Sequence, residues 1–512
     1  MKLTELPLFF LDLQTTGAKP DSGAFILEAA WAELEGEVQS ALVQLPGEEK
    51  IPYRIQILTG IFNEDLEAAV PLAEVFANLK KYHGRSAIIH FAQFEKPFLT
   101  DAFQRIGEDP FFDILCTHEI AKRLFPNLPT RGIKGLAGYF GFPSVDLKRS
   151  AHQVEATRVI WKGLATALQE KGIHTLDELK AWLQETPKVA RTKYEYPLPK
   201  DKRLTLPDQP GVYRMVSKWD EILYVGKATS LKDRVNSYFR GQKNRDSRKL
   251  EMLTQVYDLK VTVCGSPLEA ALLETDEIKR LDPRYNISLK AGHRSLVFFN
   301  REMTDIEFEQ NEEFRIGPFS TSMVFESIRN LSACLMSGEF HDNIFYDEIE
   351  GQIVKEGVAI FCERYGIDLA KFRSVRTMIS LGLWWNRQYE IEEEDVTDEE
   401  ESQESSEEEV VEEIAYTPEL VAEKIERHIM RAGQTYLRAK ELTRMLNADV
   451  KFLSYELKTR RGHVASEVDS ARVAKVGLWQ GLDINTYDRM SVLAMELAKI
   501  KKREGVVEIQ YL

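Results

Sequence analysis

Between Glu390 and Glu413 the chain runs for 24 residues with 15 acids and no lysine or arginine. Such a stretch repels itself and has too little apolar surface to bury a core, so it is expected to be a disordered acidic linker over 390–413. The 512-residue chain must therefore build its folded units on either side of it. The tract also accounts for the chain's acidity. Lysine and arginine number 67 and the acids 82; 82 less the 15 in the tract leaves 67, so the remainder is neutral. Acidity thus belongs to one segment and not to the folded units. With 43% apolar residues those units can bury cores, which excludes a wholly disordered chain.

Alternation of apolar runs with helical periodicity organises the first third. Leu8 to Leu11 is a buried strand ending in the turn signal Thr15-Thr16-Gly17, and Ala24 to Glu33 a second strand. A helix is expected over Asp65 to Lys81, a strand over Ser86 to Phe91, then helix from Phe94 to Ile106. This pattern predicts a layered α/β domain over 1–170. A short helix at Leu176 to Gln184 follows, then a linker over 187–209, rich in proline and charge. A compact α+β unit is expected over 210–290, with a hairpin turning at Trp219-Asp220 and helices near 231–238, 248–257 and 268–281. Residues 305–385 read as a helical accessory region. After the acidic tract a small C-terminal domain is expected over 417–512, opened by Thr417 as cap and Pro418 at the first helical position.

Cys116, Cys264, Cys334 and Cys362 lie far apart without zinc-ligand spacing, as in a reducing cytoplasm. The opening apolar stretch, Leu6 to Leu11, is cut by Asp12 and is too short for a signal peptide or a membrane span. A soluble cytoplasmic protein without membrane partners is the expectation.

Chemistry concentrates between residues 210 and 290. Gly211-Val212-Tyr213 and Tyr224-Val225-Gly226-Lys227 are followed by Arg234, Tyr238, Glu274 and Asn286. Arg234 and Tyr238 are four apart and share a helix face. Hydrolysis of a phosphodiester needs a metal to neutralise phosphate, a base for water and a cation for developing charge. One carboxylate, several phenols and two cations supply these without histidine. A phenol titrates near ~10, but nearby Lys and Arg charges favour phenolate, which makes a tyrosine a usable base. From Lys227 to Lys249 there are eight Lys or Arg against two Asp. Of these, Lys232, Arg240, Lys243, Arg245, Arg248 and Lys249 form a basic face suited to a DNA backbone.

The phrases PGVYRM, YVGKATSLKDRVNSYF and EAALLETDEIKRLDPRYNISLK resemble the GIY-YIG nuclease domain of the UvrC and Cho type. The resemblance implies that Tyr213 and Tyr224 face the scissile phosphate, with Tyr224 and metal-bound water forming the general base. It implies that Lys227 and Tyr238 position these groups and Arg234 stabilises phosphoryl charge. Glu274 would be the single ligand of Mg²⁺ or Mn²⁺, with Asn286 in support.

The N-terminal segment carries a second resemblance. Leu11-Asp12-Leu13-Gln14-Thr15-Thr16-Gly17, Ile89 to Glu95 and Ala151 to Thr157 are similar to the three motifs of the DEDD exonucleases, a ribonuclease H-like fold. That family holds two Mg²⁺ with four carboxylates and uses a histidine base. Here Asp12, Glu95 and His152 remain, while Gln14 and Thr157 stand where the family has glutamate and aspartate. Losing two of four charges should cripple a site that holds cations about 4 Å apart. Glu155 points to another helix face; the alternative is that Asp12, Glu95 and another acid such as Asp113 bind one metal and retain slow activity. A degenerate exonuclease-like domain that grips DNA or docks a partner is the expectation.

The fold class expected is thus multidomain α/β and α+β: a ribonuclease H-like exonuclease fold, a GIY-YIG domain, then mostly helical C-terminal regions. The function expected is Mg²⁺-dependent incision of DNA in nucleotide excision repair, with a damage-loading helicase of the UvrB type as a further partner. Two alternatives stay open: a DNA-binding repair scaffold with both nuclease folds inert, and an active 3′–5′ exonuclease or proofreading protein, which Gln14 and Thr157 disfavour.

Overall fold

The computed structural model describes residues 3, 7–47, 49–142, 147–185, 193–240, 246–286, 295–340, 344–345, 349–388, 416–445, 448–452, 483–504 and 507–511. The acidic tract, Lys243 and Arg245 lie outside them.

The first unit is built on a five-stranded sheet ordered β3-β2-β1-β4-β5, formed by β1 (Leu8–Thr15), β2 (Ile26–Glu33), β3 (Gln39–Leu42), β4 (Ser86–Ile89) and β5 (Asp113–Cys116). The β1–β2 and β2–β3 pairs are antiparallel, whereas β4 joins β1, and β5 joins β4, in parallel. Alternation along β1 serves two cores. Phe9, Leu11 and Leu13 pack under α1 (Leu72–Leu79) and α2 (Ala92–Ile106). Leu8 and Phe10 pack on the other face. There they meet residues of α3 (Ile133–Phe140) and α4 (Ser150–Glu170), including Trp161 and Leu164. The single helix expected over Asp65 to Lys81 is broken. A 3₁₀ turn covers Asn63–Ala68, Val70 bridges to Val43, and helix resumes only after Pro71, which lacks the amide that helix interiors require.

The second unit has a three-stranded antiparallel sheet ordered β7-β6-β8, from β6 (Gly211–Val216), β7 (Ile222–Ala228) and β8 (Asp258–Val263). The helices α5 (Leu231–Ser237) and α6 (Ser247–Gln255) contribute Leu231, Val235, Met252 and Leu253 to a core with Tyr213 and Met215 on one face. Ala270 and Ile278 of α7 (Pro267–Leu281) pack on Val212 and Val225 across the other. Gly211 lets β6 lie close against β8, since a Cβ there would lie 2.2 Å from the Thr262 carbonyl oxygen. The segment preceding the sheet contains a short helix, Lys200–Leu204, and Leu198 is buried in the β6–β7 core.

The two units touch. A Cβ on Gly138 of α3 would lie 1.7 Å from Gln255 Oε1 of α6, so the helices meet where that side chain is absent. The Tyr257 hydroxyl donates to the Tyr139 carbonyl at 3.2 Å.

Strands precede the helices beyond residue 295 and occupy the start of the stretch 305–385 expected to be largely helical. β9 (Val297–Phe299), β10 (Ile306–Glu307) and β11 (Ile316–Phe319) form a small sheet ordered β10-β9-β11. Phe299 and Phe319 pack beneath Phe325 of α8 (Met323–Ser337), so tertiary burial makes strands of sequence too short to show a period. The helices α9 (Gly351–Tyr365), α10 (Val375–Gln388) and α11 (Pro418–Met445) complete that core. The last helix, α12 (Ile484–Glu504), lies against α7. Among the described residues no helix is long and apolar enough to cross a membrane.

Candidate active site

The β6–β7 hairpin sets the first part of the site. Tyr213 lies opposite Gly226, and Tyr224, two residues earlier, shares its face. Their ring centroids are 6.1 Å apart. Gly226 is needed here because a Cβ would fall 2.4 Å from the Tyr213 hydroxyl. Tyr238, at the end of α5, closes a three-ring cluster with its hydroxyl 2.9 Å from that of Tyr213 and its ring 6.3 Å from Tyr224. The Arg234 guanidinium lies 5.4 Å from the Tyr238 centroid, and its charge acts on all three phenols.

The second part lies where β7 meets α7. The Lys227 amide donates to Glu274 Oε1 at 2.8 Å, and its Nζ lies 3.9 Å from Oε2. Asn286 pins the strand between Tyr224 and Lys227: its Oδ1 accepts from the Val225 amide and its Nδ2 donates to the Val225 carbonyl, each at 2.9 Å. The seven residues expected of the nuclease site thus sit on one connected assembly.

Electrostatics reverse one expectation. Burial pushes Tyr213 and Tyr224 well above the usual tyrosine range, neighbouring phenols add to it, and the Arg234 charge does not compensate. In the free chain both are phenols. Glu274 is also raised by burial, against the opposing charges of Lys227 and Arg234. A largely buried carboxyl held above its ordinary range is one that a divalent cation would stabilise as the anion, so the residues present fit such a group.

Lys232 and Arg240 are exposed on and just beyond α5, and Lys249 is exposed on α6. Arg248 is half-buried and donates to the Arg284 carbonyl at 3.4 Å.

The exonuclease-like site is sparser. Asp12 on β1 and Glu95 in the first turn of α2 are both buried. Burial, then the Asp12 charge, raises Glu95 well above the carboxylate range. Gln14 is half-buried on the same face of β1 as Asp12. Thr157 is buried on α4, whereas His152 in the first turn of that helix is exposed. Glu155 pairs with Arg158 at 3.1 Å. Asp113 cannot assist: it aligns through Ser86 with Leu8, four residues from Asp12 and therefore about 13 Å along the strand. It is also paired with Lys180 at 2.7 Å.

Two carboxylates escape sequence reading. Glu28 is buried opposite Gln14 at the exonuclease-like site, but Arg149 at 2.6 Å and the Ser150 amide at 2.9 Å hold it. A lone acid inside the apolar strand ILEAAWA is its only signal. Glu496 on α12 lies 3.1 Å from Lys227 Nζ across 269 residues, and nothing local marks it. Among the described residues no group of three or more His, Cys, Asp or Glu could hold a metal ion.

Residues 209–287 match the family model of the UvrC-like GIY-YIG domain. A protein of Mycobacterium tuberculosis, named as a bifunctional exonuclease/endonuclease protein, is 28% identical over 354 residues, 65% of this chain and 53% of the relative. UvrABC system protein C of Clostridioides difficile is 47% identical over 85 residues, 17% of this chain and 14% of that protein. The chain thus spans about half the length of the first relative and a small part of the second. The structure of exonuclease X with 5′ overhanging duplex DNA is 18% identical, covering 34% of this chain and 99% of its own, with a TM-score of 0.27. The chain carries a UvrC-like GIY-YIG domain, an exonuclease-like N-terminal domain and a helical C-terminal region.

Proposed function

We propose that this chain is an endonuclease that hydrolyses phosphodiester bonds of double-stranded DNA with Mg²⁺ or Mn²⁺, acting in repair incision as UvrC-type proteins do. The observation that carries the reading is the joining of Tyr213, Tyr224 and Tyr238 with Arg234, Lys227 and Glu274 in one site. A divalent cation bound by Glu274 would supply a Lewis acid for the phosphoryl oxygen and a more acidic water. Tyr224, once ionised, takes the proton of the attacking water. Tyr213 and Tyr238 hold its position through their shared hydroxyl contact, and Arg234 meets charge developing on the phosphoryl group. Lys227 orients Glu274 through its amide and offers its ammonium to phosphate. Lys232, Arg240, Arg248 and Lys249 bind the flanking backbone, with Lys243 and Arg245 extending the same basic run.

The nuclease unit on this reading spans 210–290. The unit at 1–170 binds DNA or a partner without digesting ends, because Gln14 and Thr157 leave Asp12 and Glu95 as only two of the four carboxylates that two cations need. A UvrB-type helicase is the partner that would load the chain at damage, and the cytoplasm is its compartment. The test is nicking of plain, nicked, branched and lesion-bearing duplexes by the full chain. Mg²⁺-dependent nicking that Glu274→Gln abolishes, with DNA binding retained, supports the reading. Nicking at the wild-type rate by Glu274→Gln refutes it.

A further inference from the structure

Helix α12 covers α7, the helix that carries Glu274. Its buried apolar positions are Tyr487, Met490, Val492, Leu493, Ala494 and Leu497, most of them at helical spacing, and α12 also touches α11. Opposite charges fasten α12 to α7. Asp488 Oδ2 lies 3.1 Å from Lys279 Nζ, with both side chains nearly buried. Arg489 donates to both carboxylate oxygens of Asp276, at 2.9 and 2.7 Å. The docking carries α12 onto the nuclease site. Two turns beyond Asp488, Glu496 Oε1 lies 3.1 Å from Lys227 Nζ, closer than the 3.9 Å to Glu274. The Glu496 side chain is 10% exposed and that of Lys227 35%, so this pair is partly shielded from water and salt.

We propose that α12 is an intramolecular plug of the nuclease site: Glu496 occupies Lys227 in place of a DNA phosphate, and α12 must leave α7 before a duplex is cut. The inference rests on the nuclease reading above. A carboxylate and a phosphate oxygen ask the same thing of an ammonium, a charge-assisted hydrogen bond, so the two compete for Lys227 directly. Exchange leaves neither ion stranded. The incoming backbone re-pairs Lys227, and Lys499, already 3.5 Å from Glu496 Oε1 on the same helix, keeps a cation beside the released carboxylate. The cost of opening is then carried by the apolar surface that α12 buries and by the two pairs to α7, which a bound duplex must offset. The plug thus makes nicking depend on whatever detaches α12, such as a tightly held DNA substrate or a partner that binds this helix.

Initial rates of nicking on one lesion-free duplex, measured with full chains in Mg²⁺, test the proposal. Glu496→Gln removes the competing charge. Arg489→Asp sets a like charge against Asp276 on the exposed side of the docking and touches neither Lys227 nor Glu274. Activity scales with the fraction of open sites, so each change should raise the rate about tenfold. Hydrogen exchange of amides 484–499 should quicken in Arg489→Asp, and in a Glu274→Gln chain when the duplex is added. Adding Glu274→Gln to either variant should silence it. Equal or slower nicking by both variants, beside a wild type whose nicking depends on Glu274, overturns the plug and leaves the nuclease reading standing. Absence of Glu274-dependent nicking in every chain overturns the nuclease reading and the plug together.

Discussion

Tyr224 and Glu95 show how burial sets the protonation of single residues. The raised Tyr224 phenol means that its base form grows with pH throughout the neutral and alkaline range. The nicking rate of the wild type should therefore climb from pH 7 without a plateau below the ordinary tyrosine value of about 10. Tyr224→Phe should remove the activity at every pH, and a pH–rate profile checks both. Glu95 is a stability statement. Its folded pKa is raised by burial and by Asp12, so the folded chain holds a proton that the unfolded chain has lost above its own lower pKa. The stability present at acid pH is lost as pH rises from that unfolded value toward the folded one. Glu95→Gln escapes this loss. Its melting temperature in chelator should exceed the wild type's near neutral pH, and the gap should close toward pH 4. A gap that widens on acidification would show the sign to be wrong.

At the scale of elements, the site depends on how strands and helices are held. The two hydrogen bonds from Asn286 to Val225 fix an edge strand, and Asn286→Ala would strand a buried amide and carbonyl. A loss of about 1–3 kcal/mol in urea unfolding is expected, together with slower nicking as Tyr224 and Lys227 lose their register. Strand β1 and helix α4 pose the converse question, whether a scaffold outlives its ligands. The full chain with Glu274→Gln should show no Mg²⁺-dependent 3′–5′ digestion of single-stranded DNA. Adding Gln14→Glu with Thr157→Asp asks whether only charges were missing. Restored digestion would show a sound scaffold, and continued silence a domain kept for binding. Digestion by the chain before those additions, lost on Asp12→Ala, would refute the degenerate reading.

For the whole molecule, composition and tertiary contact assign different roles to two acidic features. The tract at 390–413 holds 15 acids without a cation, a composition expected of a spacer. Deleting it should leave nicking of short duplexes within a few-fold of wild type, as initial rates will show. A large rise, strongest at low salt, would make it an inhibitor instead. Glu496 is one acid among many in the sequence, yet docking of α12 places it on Lys227.

That contrast divides what the sequence by itself determined from what only the tertiary structure decided. The strands β1, β4, β6 and β7 and the helices α2, α5 and α7 were legible because their apolar patterns are bounded by turn signals such as Thr15-Thr16-Gly17 and Trp219-Asp220. The structure adds the caps Ser230 and Ser266, which accept the Asp233 and Glu269 amides. The nuclease residues were legible because their motifs resemble the GIY-YIG pattern, with the four-residue spacing of Arg234 and Tyr238 setting those two on one helix face. Strands β9 to β11 were not, since three segments of two to four residues become strands only by pairing with one another under Phe325. Nor could local pattern tell that Tyr213 and Tyr224 would be raised, because desolvation depends on what packs over a phenol and not on the cations beside it in the chain. The Glu496–Lys227 contact spans 269 residues. Local propensity acts over a few residues and side-chain pairing within an element over a turn or two, so a charge delivered across that distance exists only once the separate units have docked.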